Sequence, residues 1–241
     1  MTAPSRAFVL VPGAWHGAWC WRRLEPLLSA RGHHVLTPEL LATGSDATPP
    51  DDIRLDTWAW QIRELLESRQ HPVVLVGHSR AGVIISRVAE LVPGRIARLV
   101  YLAAYLLPAG SSIADTARDD AGSLVAPNML PAESGVTCTL RPEVLRDAFY
   151  GDCDDATVRF ALEHLRPEPL RPLATALRIT DQRFGTVPRA YIECTRDRTI
   201  SLAAQRGMQA RLPCDPVFTL ASDHSPFLSH PGELAEILCS L

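Results

Sequence analysis

The sequence predicts an α/β fold in which a mainly parallel sheet is flanked by helices, with a helical cap inserted after a strand that ends near Ala104. Short β-branched runs alternate with segments of helical periodicity along most of the 241 residues, which is typical of βαβ units. The alternation breaks over residues 108–186, where Pro, Asp, Gly and Ser are frequent. Ser79 lies in a tight turn between a predicted strand and a predicted helix, which indicates where a catalytic site would form.

The elements before the break follow from periodicity and turn signals. Buried strands are predicted over residues 7–11, 34–37, 73–76 and 96–102, and helices over residues 21–30, 57–69 and 80–91. Trp58, Ile62 and Leu66 recur at helical spacing, which predicts an amphipathic helix in the second of the three helical segments. Pro93 and Gly94 end the third.

The chain after the break returns to regular alternation. Strands are predicted over residues 190–194 and 216–220, and helices over residues 202–212 and 232–241. Two further helices are predicted inside the break, over residues 142–150 and 155–165. The predicted organisation is therefore one core formed by residues 1–107 and 187–241, with residues 108–186 as the inserted cap.

Composition narrows the function classes. Hydrophobic residues make up 46% of the chain and the net charge is −3 with scattered basic residues, which argues against nucleic acid or an anionic membrane as a partner. No apolar run approaches the roughly 20 residues of a membrane span, and residues 1–6 do not resemble the start of a signal peptide, so a cytoplasmic location is expected. The six cysteines include no CxxC pair, which predicts reduced thiols without zinc. All 24 basic residues are arginine, a bias expected of a GC-rich bacterial genome.

The candidate nucleophile is Ser79, in the segment Gly77-His78-Ser79-Arg80-Ala81. A strand, sharp turn and helix centred on a serine expose its Oγ and aim free helix N–H groups at a developing oxyanion. The turn needs small neighbours, and Ala81 stands where the G-x-S-x-G pattern has its second glycine. The alternative is that Ser79 only caps a helix.

The base and acid that such a serine needs are predicted at His224 and Asp197. Each follows a predicted strand near the end of the chain, and open parallel sheets form their sites at such strand ends. Asp223 adjoins His224 and would have to fold back on its neighbour, so a structural role is expected for it. His78 flanks the serine, and packing is expected for its side chain, with contact to substrate as the alternative.

The oxyanion hole is predicted to use two backbone N–H groups, those of Ala14 and Arg80. The loop after the first strand contains Gly13, and glycine lets a backbone approach the substrate carbonyl closely. The Arg80 side chain is expected to reach solvent, with a polar substrate group as the alternative. Trp15 could line the acyl pocket or belong to the core, and His16 is expected to form structural hydrogen bonds.

These residues together resemble the α/β-hydrolase superfamily, in particular its methylesterase and hydroxynitrile lyase branch and the bacterial carboxylesterases related to it. The similarity covers nearly the whole chain and rests on these segments: Phe8 to Trp19, Gly77-His78-Ser79, Val100 to Ala104, Arg183-Phe184-Gly185, Thr195-Arg196-Asp197 and Asp223-His224. The resemblance implies a Ser79, Asp197, His224 triad and a cap over the pocket. Pro12 departs from the His-Gly pair usual in the family, which removes a side-chain hydrogen bond from the oxyanion loop.

The expected function is cofactor-independent hydrolysis of small to medium apolar carboxylic esters by a serine esterase, acting as a monomer or homodimer. Lyase or carbon–carbon bond chemistry with the same triad is one alternative, and a ligand-sensing homologue is another. Cyanohydrin cleavage is not expected, because the lyases of the branch carry a lysine after the histidine, where this chain has Ser225. Haloalkane dehalogenases and epoxide hydrolases need Asp where this chain has Ser79.

Overall fold

A six-stranded sheet, parallel throughout, forms the centre of the molecule in a computed structural model that describes residues 5–241. Within that range the strands are β1 (Ala7–Val11), β2 (His34–Leu36), β3 (Val73–His78), β4 (Ile96–Leu102), β5 (Met129–Pro131), β6 (Thr137–Leu140), β7 (Glu168–Pro169), β8 (Arg189–Cys194) and β9 (Val217–Leu220). The large sheet has the order β2-β1-β3-β4-β8-β9. Residues 1–4 lie outside the described residues. They belong to the predicted core and to the N-terminal segment on which the expected cytoplasmic location partly rests.

Helices cover both faces of the sheet. In chain order they are α1 (Glu25–Ser29), α2 (Leu55–Glu67), α3 (Ala81–Leu91), α4 (Ile113–Arg118), α5 (Pro142–Phe149), α6 (Asp155–His164), α7 (Leu170–Leu173), α8 (Leu202–Arg211), α9 (Pro226–Ser229) and α10 (Pro231–Ser240). Short 3₁₀ helices occupy Ala18–Arg23, Pro50–Asp52, Pro93–Arg95, Ala126–Asn128 and Phe184–Thr186. None of the helices formed by residues 5–241 has the length and apolar character to cross a membrane.

Alternate residues of the buried strands supply two hydrophobic cores, one on each face of the sheet. Val9 and Leu75 pack on the side of α2 and α3, whereas Phe8 and Val76 pack on the side of α1 and α10. Successive side chains of a strand point to opposite faces, so a strand buried on both sides has a continuous apolar sequence. The parallel sheet flanked by helices predicted from the sequence is confirmed.

One predicted helix is replaced by two shorter pieces. Residues 21–30 were expected to form a single helix, but the chain forms the 3₁₀ helix Ala18–Arg23 and then α1. Pro26 has no N–H to donate and is tolerated only in the first turn of a helix, which is where α1 places it. The helix therefore restarts at Glu25.

The segment between β4 and β8, the inserted segment, is mixed rather than helical. It contains α4 to α7, but also a three-stranded antiparallel sheet of order β5-β6-β7, which the sequence analysis did not predict. Each of these strands has only two to four residues, too few for a periodicity signal to separate from loop. Gly135 adopts a φ of 68° in the connection between β5 and β6, a backbone conformation that glycine permits.

Candidate active site

Ser79 lies at the sharp turn between β3 and α3 in a strained backbone conformation. Its φ is 54°, in the left-handed region that non-glycine residues rarely adopt. The turn is held in place because the Ser79 N–H donates to the carbonyl of Leu102 at 3.2 Å and the N–H of Tyr105 donates to the Ser79 carbonyl at 3.0 Å. The end of β4 and the loop that follows it therefore fix the backbone of the candidate nucleophile.

Small residues are required around this turn. A Cβ at Gly77 would lie 2.8 Å from the carbonyl oxygen of Ala81, closer than real contacts of this kind. A Cβ at Gly82 would collide with the backbone of Tyr105. Ala81, the departure from the glycine pattern, is fully buried, and its small side chain does not line the cavity beside Ser79.

Asp197 and His224 are joined by a short hydrogen bond. The distance between His224 Nδ1 and Asp197 Oδ2 is 2.7 Å, and both side chains are buried. A neutral imidazole carries one proton, and the carboxylate can only accept, so the proton of the neutral ring lies on Nδ1. The Nε2 atom of His224 is thereby left free to accept a proton.

The Asp197 carboxylate is held by three further donors. Its Oδ1 accepts the N–H groups of Thr199 at 2.7 Å and Ile200 at 2.9 Å. Its Oδ2 also accepts from the side chain of Gln205 at 3.3 Å, and Gln205 is itself fixed to the carbonyl of Ile200 at 2.8 Å. The sequence did not predict a role for Gln205, a buried amide on α8. Its position on the inner face of a helix, where apolar residues are usual, is the only signal that could have indicated one.

In the described part of the chain, Ser79 Oγ forms no hydrogen bond with His224. His78, the residue before Ser79, is in contact with His224. The His78 ring donates from Nε2 to the carbonyl of His224 at 2.8 Å, and the ring centroids of His78 and His224 lie 4.4 Å apart. Catalytic hydrogen bonds are often loose in ligand-free sites and tighten when substrate binds. His78 is completely buried, and its ring packs against His224 and Phe227, which favours the packing role over a substrate contact.

His16 is a buried structural histidine. Its Nδ1 donates to the carbonyl of Ala14 at 2.7 Å, and its Nε2 accepts from the Tyr150 hydroxyl at 2.8 Å. Burial lowers the pKa of His16 to about 4 and holds the pKa of His78 well below its usual value. Both rings are therefore neutral at pH 7.

The backbone N–H groups of Ala14 and Arg80, the predicted oxyanion donors, form no hydrogen bond within the described part of the chain, and both residues line one cavity together with Ser79. A backbone N–H group without a hydrogen-bond partner is uncommon in a protein interior, where backbone N–H groups are nearly always paired. Two such donors beside a serine are suited to receiving a negatively charged oxygen.

Trp15 is fixed by hydrogen bonds to the inserted segment. Its N–H donates to Glu168 Oε2, its carbonyl accepts the N–H of Arg166, and its indole donates to the carbonyl of Cys138, each at 3.0 Å. The Trp15 φ is 63°, another left-handed conformation at a residue other than glycine. The inserted segment therefore holds a strained residue of the loop after β1, and Trp15 also lines the cavity.

The Arg80 side chain is buried, so the expectation that it reaches solvent is wrong. It is only 1% exposed, its Nε lies 3.1 Å from Glu168 Oε1, and its guanidinium packs over the ring of Trp58. Burial raises the pKa of Glu168, and the neighbouring Arg80 charge opposes that rise. Sequence reasoning missed Glu168, because nothing in its local pattern marks a contact with a residue far away in the chain.

A cavity of about 350 Å³ opens above Ser79. Its walls are mostly apolar side chains of the inserted segment, and these include Ile113, Val125, Met129, Leu170 and Leu173. Leu106 and Leu107, which follow β4, belong to the core on the side of α2 and α3 and do not line the cavity. A mainly apolar cavity beside a few polar groups is the usual form of a small-molecule site.

Asp223 supports the loop that carries His224. Its carboxylate accepts from the N–H groups of Asp152 and Ser225 at 3.1 Å each and from the Ser229 hydroxyl at 2.8 Å. Burial raises the pKa of Asp223.

Residues 5–241 contain no group of three His, Cys, Asp or Glu residues arranged to hold a metal ion, and all six cysteines are free thiols.

The sequence matches the alpha/beta hydrolase family over residues 8–237, and the chain belongs to that family. It is 31% identical to salicylic acid-binding protein 2 of Nicotiana tabacum, over 97% of this chain and 96% of the relative. It is 29% identical to methylesterase 9 of Arabidopsis thaliana, over 97% of each chain. The predicted resemblance to the methylesterase branch is confirmed.

Solved structures agree with this assignment. A pyrethroid hydrolase from Sphingobium faniae superposes with a TM-score of 0.85 at 28% identity, covering 98% of this chain and 97% of the other. Tomato methylketone synthase I superposes with a TM-score of 0.88 at 25% identity, covering 99% and 98%. The fold is that of an α/β-hydrolase, and the protein is a serine hydrolase of the carboxylic ester hydrolase class.

Proposed function

We propose that Ser79 is the nucleophile of this esterase, with His224 as its base and Asp197 as the acid that orients His224. Ser79 Oγ attacks the ester carbonyl carbon while His224 Nε2 takes the hydroxyl proton. The carbonyl oxygen becomes an oxyanion, which accepts from the N–H groups of Ala14 and Arg80. The bond to the alcohol oxygen then breaks, and His224 returns the proton to the leaving alcohol.

Water completes the cycle by the same steps. His224 takes a proton from water as the water oxygen attacks the acyl group on Ser79. Collapse of the second oxyanion releases the carboxylic acid and returns the proton to Ser79. The 2.7 Å bond from His224 Nδ1 to Asp197 supports this scheme more than any other observation, because it leaves Nε2 as the basic atom in both steps.

The substrate we propose is a small to medium ester with an apolar acyl part. The cavity of about 350 Å³ above Ser79 has mostly apolar walls, and its size is at the lower end of ordinary ligand sites. The structural likeness to a pyrethroid hydrolase supports an apolar ester as well.

The test is hydrolysis of p-nitrophenyl esters from acetate to decanoate by the purified protein, without added metal or cofactor, beside Ser79→Ala. We expect turnover by the wild-type protein and a loss on the order of 10⁶-fold in kcat for Ser79→Ala, the scale known for removal of a catalytic serine. Retention of a tenth of the activity by a folded Ser79→Ala protein would show that Ser79 is not the nucleophile.

Two further assays of the purified protein separate the alternatives. Turnover of a β-keto or β-hydroxy acid without turnover of any ester would favour lyase or carbon–carbon bond chemistry. Single-turnover kinetics with a ligand-induced change in the inserted segment would favour a sensor.

Four further properties remain predictions from the sequence. They are the cytoplasmic location, the bacterial origin, the monomeric or homodimeric state, and the division into a core of residues 1–107 and 187–241 and a cap of residues 108–186.

A further inference from the structure

A buried ion pair connects the inserted segment to the two loops that carry the proposed oxyanion donors. Arg80 follows the nucleophile at the start of α3, and Glu168 lies on β7 of the small sheet. Each side chain is 1% exposed, and 3.1 Å separates Arg80 Nε from Glu168 Oε1. The proposed reaction does not use either side chain.

The two charged groups bind the peptide units on either side of Ala14. Arg80 Nη2 donates to the carbonyl of Gly13 at 2.8 Å, and Glu168 Oε2 accepts the N–H of Trp15 at 3.0 Å. The Gly13 carbonyl and the Ala14 N–H belong to one planar trans peptide, in which they point in opposite directions. A guanidinium fixed on that carbonyl therefore fixes the direction of the Ala14 N–H.

The charge of Arg80 also affects the strength of this donor. A hydrogen bond from a cation is stronger than one from a neutral group, and hydrogen bonds in a chain polarise one another where water is excluded. A Gly13 carbonyl that accepts from Arg80 withdraws electron density from its own amide. The Ala14 N–H thereby becomes a better donor to an oxyanion.

Stability does not account for the pair. Replacement of a buried ion pair by apolar residues of similar volume is often neutral or stabilising, because desolvation offsets the attraction. The contact between Nε and Oε1 is not a linear hydrogen bond, and Arg80 Nη1 is buried without a partner among residues 5–241. Incompletely satisfied charges in an interior call for an explanation, and a catalytic role is one of those known.

We propose that the Arg80–Glu168 pair positions the oxyanion hole, by holding and polarising the peptide whose N–H group belongs to Ala14. This inference rests on the proposed function, since it assigns the pair a task in that reaction. Arg80 and Glu168 act here as positioning residues, through the backbone of Gly13, Ala14 and Trp15. The inserted segment thus takes part in catalysis as well as in covering the cavity.

The test is the double variant Arg80→Met/Glu168→Gln. It removes both charges together, keeps the Arg80 backbone N–H, and leaves a side-chain amide oxygen at position 168 that can still accept from the Trp15 N–H. We expect kcat on the best p-nitrophenyl ester to fall on the order of 10- to 100-fold, somewhat less than for loss of a whole oxyanion-hole donor. KM and the urea midpoint of unfolding should stay close to their wild-type values.

A transition-state analogue reports on the oxyanion hole directly. An alkyl trifluoromethyl ketone adds the serine oxygen and gives a tetrahedral oxyanion, whereas the matching methyl ketone tests ground-state binding. The inhibition constant of the trifluoromethyl ketone should rise by the same factor as kcat falls, and that of the methyl ketone should not change. A matched control is Arg87→Met/Asp56→Asn, which removes a partly buried ion pair between α3 and α2. It should change neither kcat nor the inhibition constant of either ketone.

The outcomes distinguish this inference from the proposed function. Unchanged kcat and unchanged trifluoromethyl ketone binding in a folded double variant would overturn the positioning role while leaving the esterase intact. A fall in kcat together with an equal loss of binding for both ketones and a lower urea midpoint would mean that the pair is only structural. A wild-type protein that neither hydrolyses esters nor binds the trifluoromethyl ketone would overturn both.

Discussion

At the scale of single residues, the decisive question is which carboxylate orients His224. Asp197 accepts from His224 Nδ1 at 2.7 Å, so Asp197→Asn replaces an acceptor by an amide that also donates and favours the wrong tautomer of the ring. We expect kcat to fall on the order of 10⁴-fold with the fold intact, by analogy with the same change in a serine protease triad. The measurement is steady-state hydrolysis of the best p-nitrophenyl ester, with circular dichroism to check folding.

Asp223→Asn is the matched control for that experiment. Asp223 adjoins His224 in sequence and is buried, but its carboxylate accepts from Asp152, Ser225 and Ser229 rather than from the imidazole. The variant keeps the Oδ1 acceptor of Ser225 and Ser229 and loses the hydrogen bond from the Asp152 N–H to Oδ2. We expect kcat to fall less than about tenfold, because one supporting hydrogen bond contributes on the order of 1 kcal/mol. Near-normal turnover by Asp197→Asn together with an inactive Asp223→Asn protein would reverse the two roles.

Residues that act through local geometry were predictable, whereas residues that act through distant contacts were not. The turn at Ser79 is encoded within a few neighbours, because a strand, a small residue and a helix start suffice to define it. The Arg80 side chain could not be placed from its neighbours, since its partner Glu168 comes from β7 of a small sheet that the sequence analysis did not predict. Tertiary contacts, rather than neighbours in the sequence, determine whether a charged side chain is buried.

At the scale of elements, strands buried on both faces were predicted best. The strands β1 and β4 have the predicted bounds, because continuous apolar runs between turn signals leave little choice of register or end. The small sheet was missed because β5, β6 and β7 have only two to four residues each and lie in a segment where Pro, Asp, Gly and Ser are frequent. The restart of α1 at Glu25 was missed because Pro26 is compatible with both a first turn and an interruption.

The packing of α3 against the end of β4 gives a prediction at this scale. Gly82 lies in the first turn of α3, where an added Cβ would collide with the backbone of Tyr105. We expect Gly82→Ala to lower the free energy of unfolding by about 1–3 kcal/mol, the usual cost of overpacking a close contact. Urea unfolding followed by circular dichroism measures this difference.

Gly207→Ala is the control, because it makes the same substitution inside α8 where a Cβ meets nothing within 4 Å. Helix propensity favours alanine over glycine by about 1 kcal/mol, so the Gly207→Ala protein should be more stable than the wild type. Helix propensity alone would stabilise both variants. Equal stabilisation by the two substitutions would therefore show that the approach of α3 to Tyr105 is not a constraint.

At the scale of the whole molecule, the site forms where the strand order reverses. The strand β1 lies between β2 and β3, so the chain leaves β1 in one direction and returns on its other side. Ligands bind at the carboxyl ends of strands beside such a point, and Ala14 and Ser79 follow β1 and β3 there. The sequence predicted a site at the ends of the strands, whereas the strand order and the contacts of Trp15 with the inserted segment come from the structure.

Buried histidines give the whole molecule a pH-dependent stability. The pKa of His16 is about 4 in the folded protein because of burial, against an ordinary value of 6.5. Between these values the unfolded chain binds a proton at this position that the folded chain does not, so stability is fully present above pH 6.5 and decreases as pH falls towards 4. The lowered pKa of His78 acts in the same direction. The raised pKa values of Glu168 and Asp223 act in the opposite direction, because these carboxyl groups bind protons more tightly when folded.

The contribution of His16 is separated from the others by His16→Gln. From pH 7 to pH 5 the free energy of unfolding of the wild-type protein should lose about 2 kcal/mol through His16 alone. The wild-type protein should therefore lose about 2 kcal/mol more than His16→Gln over that interval, whatever the variant's stability at pH 7. Urea unfolding of both proteins at the two pH values gives this difference. Parallel losses in the two proteins would mean that His16 is protonated as readily in the folded chain as in the unfolded one, and so that burial of the ring does not exclude its charged form.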